Sequence, residues 1–136
     1  MTERTIAALC LYDKMKQVLM QHRGDDAPIL PGHWGFFGGL VDVDETPEQT
    51  VRRELFEEIE YRPHKPEFFI KEKSMQGGIH VLTHIFIEEY DETQPLILHE
   101  GQEYGWFMID DALNLKITKY GHASLWKIKD YLEELE

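Results

Sequence analysis

Residues 38–61 read GGLVDVDETPEQTVRRELFEEIEY, and the intervals within this stretch constrain the rest of the chain. Gly39 is followed six positions on by Glu45, eight further on by Arg53-Glu54, and then by Glu57-Glu58. The segment opens as a helix should. Thr46-Pro47-Glu48-Gln49 offers a capping hydroxyl, a proline at the first helical position and a glutamine three residues after the cap. On a wheel of roughly 100° per residue, Glu58 falls about 40° to one side of Glu54 and Glu57 about 60° to the other. Val51, Leu55 and Ile59 fall at about 60° to 140°, an apolar stripe beside the acidic face. Such a helix can pack on a sheet while holding its acids at the edge of the packed surface. Arg53 stands four residues before Glu57, close enough to orient it by an ion pair.

Three carboxylates at this spacing repel by roughly 0.3 kcal/mol per pair. A solvated acidic face tolerates that cost, and a divalent cation removes it, because Mg²⁺ favours near-octahedral oxygen ligands. The acids alone fit either account. Their surroundings decide between them: Gly38-Gly39 lets backbone approach a ligand closely with carbonyls free to bind a cation, and Glu45, Arg53 and Leu55 follow at fixed intervals. In this order the segment resembles the Nudix hydrolase signature, GX5EX7REUXEEXGU with U a bulky apolar residue. ETPEQ followed by REL-EE is similar to the MutT-type nucleoside triphosphate pyrophosphatases.

The resemblance implies hydrolysis of the diphosphate bond in a nucleoside diphosphate linked to some other group X. A nucleoside triphosphate or modified nucleotide, giving a nucleoside monophosphate and pyrophosphate, is the leading substrate class. A nucleotide sugar is the alternative, and a non-catalytic nucleotide-sensing module is a second. By position, the metal ligands for Mg²⁺ or Mn²⁺ would be Glu54, Glu57, Glu58 and the carbonyl of Gly38. Arg53 would orient a glutamate, Glu45 would brace the loop-to-helix turn, and Glu57 is a candidate general base. Many relatives place a further acid in a later loop, where Glu100, and less so Glu103, are the candidates here. Trp34 and Phe36, just before the motif, either stack on the substrate's base or pack in the core.

One position departs from the signature. Glu60 stands where glycine is usual, at a helix end that favours left-handed backbone angles. Keeping those angles would cost about 1 kcal/mol, so a local backbone difference is expected.

The bulk composition suits this reading. The chain has 136 residues, 42% hydrophobic and 12% aromatic, enough for one domain spanning 1–136 with a sizeable core. Its 26 acidic and 14 basic residues give a formal charge of −12, which disfavours nucleic-acid binding through phosphate contacts. For an anionic substrate the same charge calls for a bound cation. Cys10 is the single cysteine, set in an apolar run, and reads as a buried small hydrophobe. His80 and His84, four apart in a strand, do not suggest a zinc site. No run approaches a membrane span and no secretory leader is evident, so a cytoplasmic protein is expected. The resemblance also allows a homodimer.

Around the motif, TIAALCLY (5–12) and QVLMQH (17–22) read as one hairpin, and 68–75 and 80–88, flanking Gln76-Gly77-Gly78, as another. Trp34 to Phe37 reads as a short aromatic strand, 110–115 as a helical turn, and the region after Gly121 as a second long helix. The expected fold class is α/β (α+β), a mixed sheet sandwiched between helices.

Overall fold

A computed structural model describes residues 3–27, 30–99 and 103–135. The chain runs β1 (Glu3–Tyr12), β2 (Val18–His22), β3 (Trp34–Gly35), β4 (Phe37–Leu40), α1 (Pro47–Ile59), β5 (Glu67–Gln76), β6 (Ile79–Glu89), β7 (Glu103–Phe107), α2 (Ile109–Ala112) and α3 (Lys119–Glu133). The strands form one mixed sheet in which β1 is central. It runs parallel to β6 along its whole length, from Glu3↔His80 to Tyr12↔Glu89. On its other edge it pairs antiparallel first with β4, from Ile6↔Leu40 to Leu9↔Phe37, and then with β2 at Tyr12↔Val18. β5 flanks β6, while β3 and β7 flank β2.

Alternation along β1 divides the core. Ala7, Leu9 and Leu11 face α1 and pack with Val51, Leu55 and Ile59, the stripe read from the wheel. Cys10 faces the other way, with Val18, Met20 and Ile87, against Leu125, Ile128 and Leu132 of α3. Helices therefore cover both faces, as expected, and Cys10 is fully buried in apolar surroundings that push its thiol pKa up.

Both hairpins form. In the first, the Asp13 carboxylate accepts from the N–H groups of Met15 and Gln17 and so closes the turn. In the second, Gly77 and Gly78 take φ of 59° and 78°, left-handed values that a two-residue turn requires. Two expectations need correction. The aromatic segment is two strands, because Trp34 and Gly35 pair with β2 whereas Phe37 pairs with Leu9 of β1, and the chain changes partner at Phe36. The last helix begins before Gly121, since the Thr118 hydroxyl caps it by accepting from the Gly121 N–H at 3.0 Å.

α1 carries the full capping box. Thr46 Oγ1 accepts from the Gln49 N–H at 3.2 Å, and Gln49 Oε1 accepts from the Thr46 N–H at 2.9 Å. At its other end Glu60 adopts φ 55° and ψ 30°, so the left-handed angles are kept and the expected backbone difference is absent. The geometry is held by Glu60 N–H to Phe56 O, the bond that closes an αL helix end, with Tyr61 N–H to Leu55 O beside it. The Glu60 carboxylate also meets His99 Nε2 at 2.5 Å. Comparing Glu60→Gly with Glu60→Ala removes that contact in both and isolates the backbone cost. Glycine is expected to be more stable than alanine by about 1 kcal/mol in urea denaturation, and equal stabilities would show that the left-handed conformation carries no penalty.

Candidate active site

The site is organised by one guanidinium. All five of its N–H donors have acceptors. Arg53 Nε and Nη2 donate to Glu45 Oε2 and Oε1 at 2.6 and 2.9 Å, a two-pronged pair. Nη1 donates to Glu54 Oε1 at 3.0 Å and to Glu57 Oε1 at 3.1 Å. Nη2 also donates to the carbonyl of Leu40 at 3.3 Å, tying α1 to the end of β4. Glu45 is bound from two further directions, accepting from the Asp42 N–H at 3.1 Å and the Thr50 hydroxyl at 2.8 Å while sitting just ahead of the α1 cap. Arg53, and to a lesser degree these other donors, hold the Glu45 carboxyl down at about 2. Partnership with Glu45 and Glu54 correspondingly raises the Arg53 pKa.

The glycines supply close approach. A side chain at Gly39 would place its Cβ 2.4 Å from the Glu54 carboxyl, and one at Gly38 would fall 2.2 Å from the Ala7 carbonyl oxygen. Gly39 thus makes room for the acid, while Gly38 lets β4 lie tightly on β1. Glu58, only 3% exposed, receives Gln21 Nε2 on Oε2 at 3.4 Å. Gln21 is a site residue that the sequence reading passed over. Its signal was a polar side chain ending the buried run Val18-Leu19-Met20.

A cleft of about 1290 Å³ opens beside these residues. Gly38, Glu54, Glu58, Trp34 and Phe36 all line it. Glu57 is not part of that lining; it sits half exposed at the rim, anchored by Arg53. Trp34 already has ring partners, His22 stacked at 4.7 Å and Phe107 edge-on at 5.1 Å, and both it and Phe36 pack against the α3-side core. Glu100 lies outside the described residues. Glu103 is in β7 with its carboxylate 3.3 Å from His22 Nδ1.

Among the described residues no three acidic, histidine or cysteine side chains stand ready-converged on a metal. Arg53 engages one oxygen each of Glu54 and Glu57, leaving each carboxylate a second oxygen. An all-oxygen donor set of carboxylates beside a half-buried glycine edge fits a hard divalent cation and would suit softer metals poorly.

An arginine-ordered carboxylate face at the mouth of a cleft, on a mixed sheet between helices, is a fold and site with known counterparts. The NUDIX domain profile matches residues 1–126, and the chain belongs to that family. It is similar to a CMP-5'-(N-acetyl-N-hydroxy-3-aminopropyl)phosphonate hydrolase of Streptomyces rubellomurinus, 32% identical over 111 residues, covering 80% of this chain and 53% of that protein. The chain therefore spans about half that relative's length. The nucleoside triphosphatase NudI of Escherichia coli is 26% identical over 129 residues, covering 87% of this chain and 91% of NudI. In fold, the MutT protein of Methanosarcina mazei Go1 superposes with a TM-score of 0.86 at 18% identity, covering 98% and 96% of the two chains. No helix among the described residues is long and apolar enough to cross a membrane.

The depressed Glu45 pKa makes a pH prediction. A carboxylate whose folded pKa lies below its unfolded value stabilises the fold above the unfolded pKa and loses that stabilisation as pH falls. Glu45→Gln is expected to lower the thermal midpoint at pH 7, with the gap to wild type closing as pH drops from about 4.5 towards 2. A gap independent of pH would show that the Glu45 charge is not what holds Arg53.

Proposed function

We propose that this chain hydrolyses the diphosphate bond of a nucleoside diphosphate linked to X, with a nucleoside triphosphate yielding a nucleoside monophosphate and pyrophosphate as the leading case. The observation that carries this reading is the five-bonded Arg53, which fixes Glu54 and Glu57 beside Glu58 and the Gly38–Gly39 edge at the cleft mouth. Family membership and the NudI relative support it.

Glu54, Glu57, Glu58 and the Gly38 carbonyl would hold Mg²⁺ or Mn²⁺. When bound, the ion neutralises the diphosphate oxygens and makes its coordinated water more acidic. The protein's own residues supply the rest. Arg53 fixes the Glu54 and Glu57 rotamers before substrate arrives, which limits the reorganisation left for the reaction itself. Glu57, at the solvated rim, accepts the attacking water's proton. Glu58 is held by Gln21 at the buried end of the acidic face. Arg4 and Arg23 line the same cleft and bring positive charge to a molecule of net −12. Trp34 and Phe36 offer an apolar wall for the nucleotide.

A second reading has support from the Streptomyces relative, whose name describes a CMP–phosphonate conjugate. On that reading X is an organic group and the chain cleaves a nucleotidyl conjugate, a nucleotide sugar included. We also propose that residues 1–136 work as one domain in the cytoplasm on a small nucleotide, without nucleic acid or membrane partners.

The test is Mg²⁺-dependent release of a nucleoside monophosphate, with pyrophosphate from the triphosphates and phosphorylated X from the conjugates, over a panel of standard and oxidised triphosphates, nucleotide sugars, CMP conjugates and ADP-ribose. Glu57→Gln and Glu58→Gln are run alongside. Each substitution is expected to lower kcat by at least about 100-fold. Tight nucleotide binding without metal-dependent turnover by wild type would contradict the hydrolase and favour a sensing module.

A further inference from the structure

The cleft does not end at the acidic edge. It continues over the α3-side face of the sheet, where strand register lays out a row: Leu40 of β4 pairs with Ile6 of β1, Ile6 with Thr83 of β6, and Thr83 with Glu72 of β5. Three inter-strand spacings, roughly 14 Å, separate the ends of this row. The floor between is apolar with one hydroxyl, formed by Ile6, Ala8, Ile85 and Thr83. Glu72 closes the far side, and Ser124, 1% exposed on α3, donates its hydroxyl to Glu72 Oε2.

This carboxyl is not explained by the fold. Among the described residues it has no ion pair, and its hydrogen-bond partner is a neutral hydroxyl. Burial pushes its pKa up to about 7, and the Lys127 charge only partly offsets that. A half-buried acid facing a cleft costs stability unless something else meets it there. Ser124 takes one lone pair of Oε2, which leaves the other and all of Oε1 to meet a ligand. The desolvated wall favours the protonated carboxyl, which presents one donor and one acceptor side by side.

We propose that Glu72, steadied by Ser124, hydrogen-bonds the edge of the substrate's nucleobase and selects bases with an amino group beside an unprotonated ring nitrogen, as in cytosine and adenine. This rests on the nucleotide reading above: the phosphates lie at the carboxylate edge, the base lies flat on the apolar floor, and its edge reaches Glu72. The acid's O–H donates to the ring nitrogen and its carbonyl accepts from the amino group. Because the Ser124 hydroxyl donates to Oε2, the proton is held on Oε1, and uracil and guanine, which present an N–H where cytosine and adenine have the bare nitrogen, set a donor against that donor.

The experiment measures binding of α,β-methylene analogues of CTP, ATP, UTP and GTP by titration calorimetry with Mg²⁺, beside turnover of the natural triphosphates. Wild type is expected to bind the cytosine or adenine analogue at least about tenfold more tightly than the uracil and guanine ones. Glu72→Ala should abolish that preference by weakening only the favoured analogues, and Glu72→Gln, whose amide keeps one donor and one acceptor, should retain it. Glu72→Met, of similar volume and without a hydrogen-bonding edge, replaces the alanine variant if that fails to fold. Equal affinities in wild type, or a uniform change in the variants, would overturn the proposal. Base-selective binding without turnover would overturn the hydrolase and leave the base-reading role standing.

Discussion

The Arg53–Glu45 pair is the constraint on which the site depends. α1 is attached to the sheet by an apolar stripe, and a stripe fixes which face of a helix is buried more firmly than the helix's position along its axis. Arg53 supplies the missing restraint, because the same guanidinium bonds the Leu40 carbonyl on β4, Glu45 in the preceding loop and two acids on its own helix. Lysine could not replace it, having three donors on a point charge where five in a planar fork are in use. Glu45 is a poor site for substitution for the same reason. Its two oxygens receive Arg53, Thr50 and the Asp42 N–H, which closes the turn that leads into the helix cap.

That arrangement also resolves the electrostatic conflict posed by the sequence. A helix face bearing Glu54, Glu57 and Glu58 within a chain of net charge −12 is self-repelling. Arg53 compensates part of it and bonds only one oxygen each of Glu54 and Glu57, so a cation still has donors to meet. Glu58 is treated differently, sunk to 3% exposure with the Gln21 amide on its carboxylate. The three acids therefore occupy three environments, clamped, solvated and buried, although a helical wheel shows them as equivalent.

What was legible in the sequence was local or periodic. The capping box of Thr46 and Gln49, the α1 stripe, the two hairpins and the Arg53–Glu57 spacing all involve residues within a few positions of one another. What was not legible depended on long-range register. The division of 34–40 between two partner strands follows from β1 having two antiparallel neighbours on one edge, and no local pattern encodes that. Gln21 meets Glu58 across 37 residues, and Glu72 meets Ser124 across 52. Each looked like an ordinary strand polar residue until the sheet brought its partner to it. At Glu60 the chain keeps the left-handed helix end of its family with a residue that usually avoids it, a case where tertiary restraint outweighs propensity.

The most direct test of this account is a double-mutant cycle on Arg53→Gln and Glu45→Gln, read as the urea midpoint of unfolding at pH 7. If the two residues act as one clamp, each single substitution lowers the midpoint and the double mutant falls little further than the worse single one. Fully additive losses would mean that Arg53 and Glu45 stabilise the protein independently, and the site would then need another explanation for how its carboxylates are held.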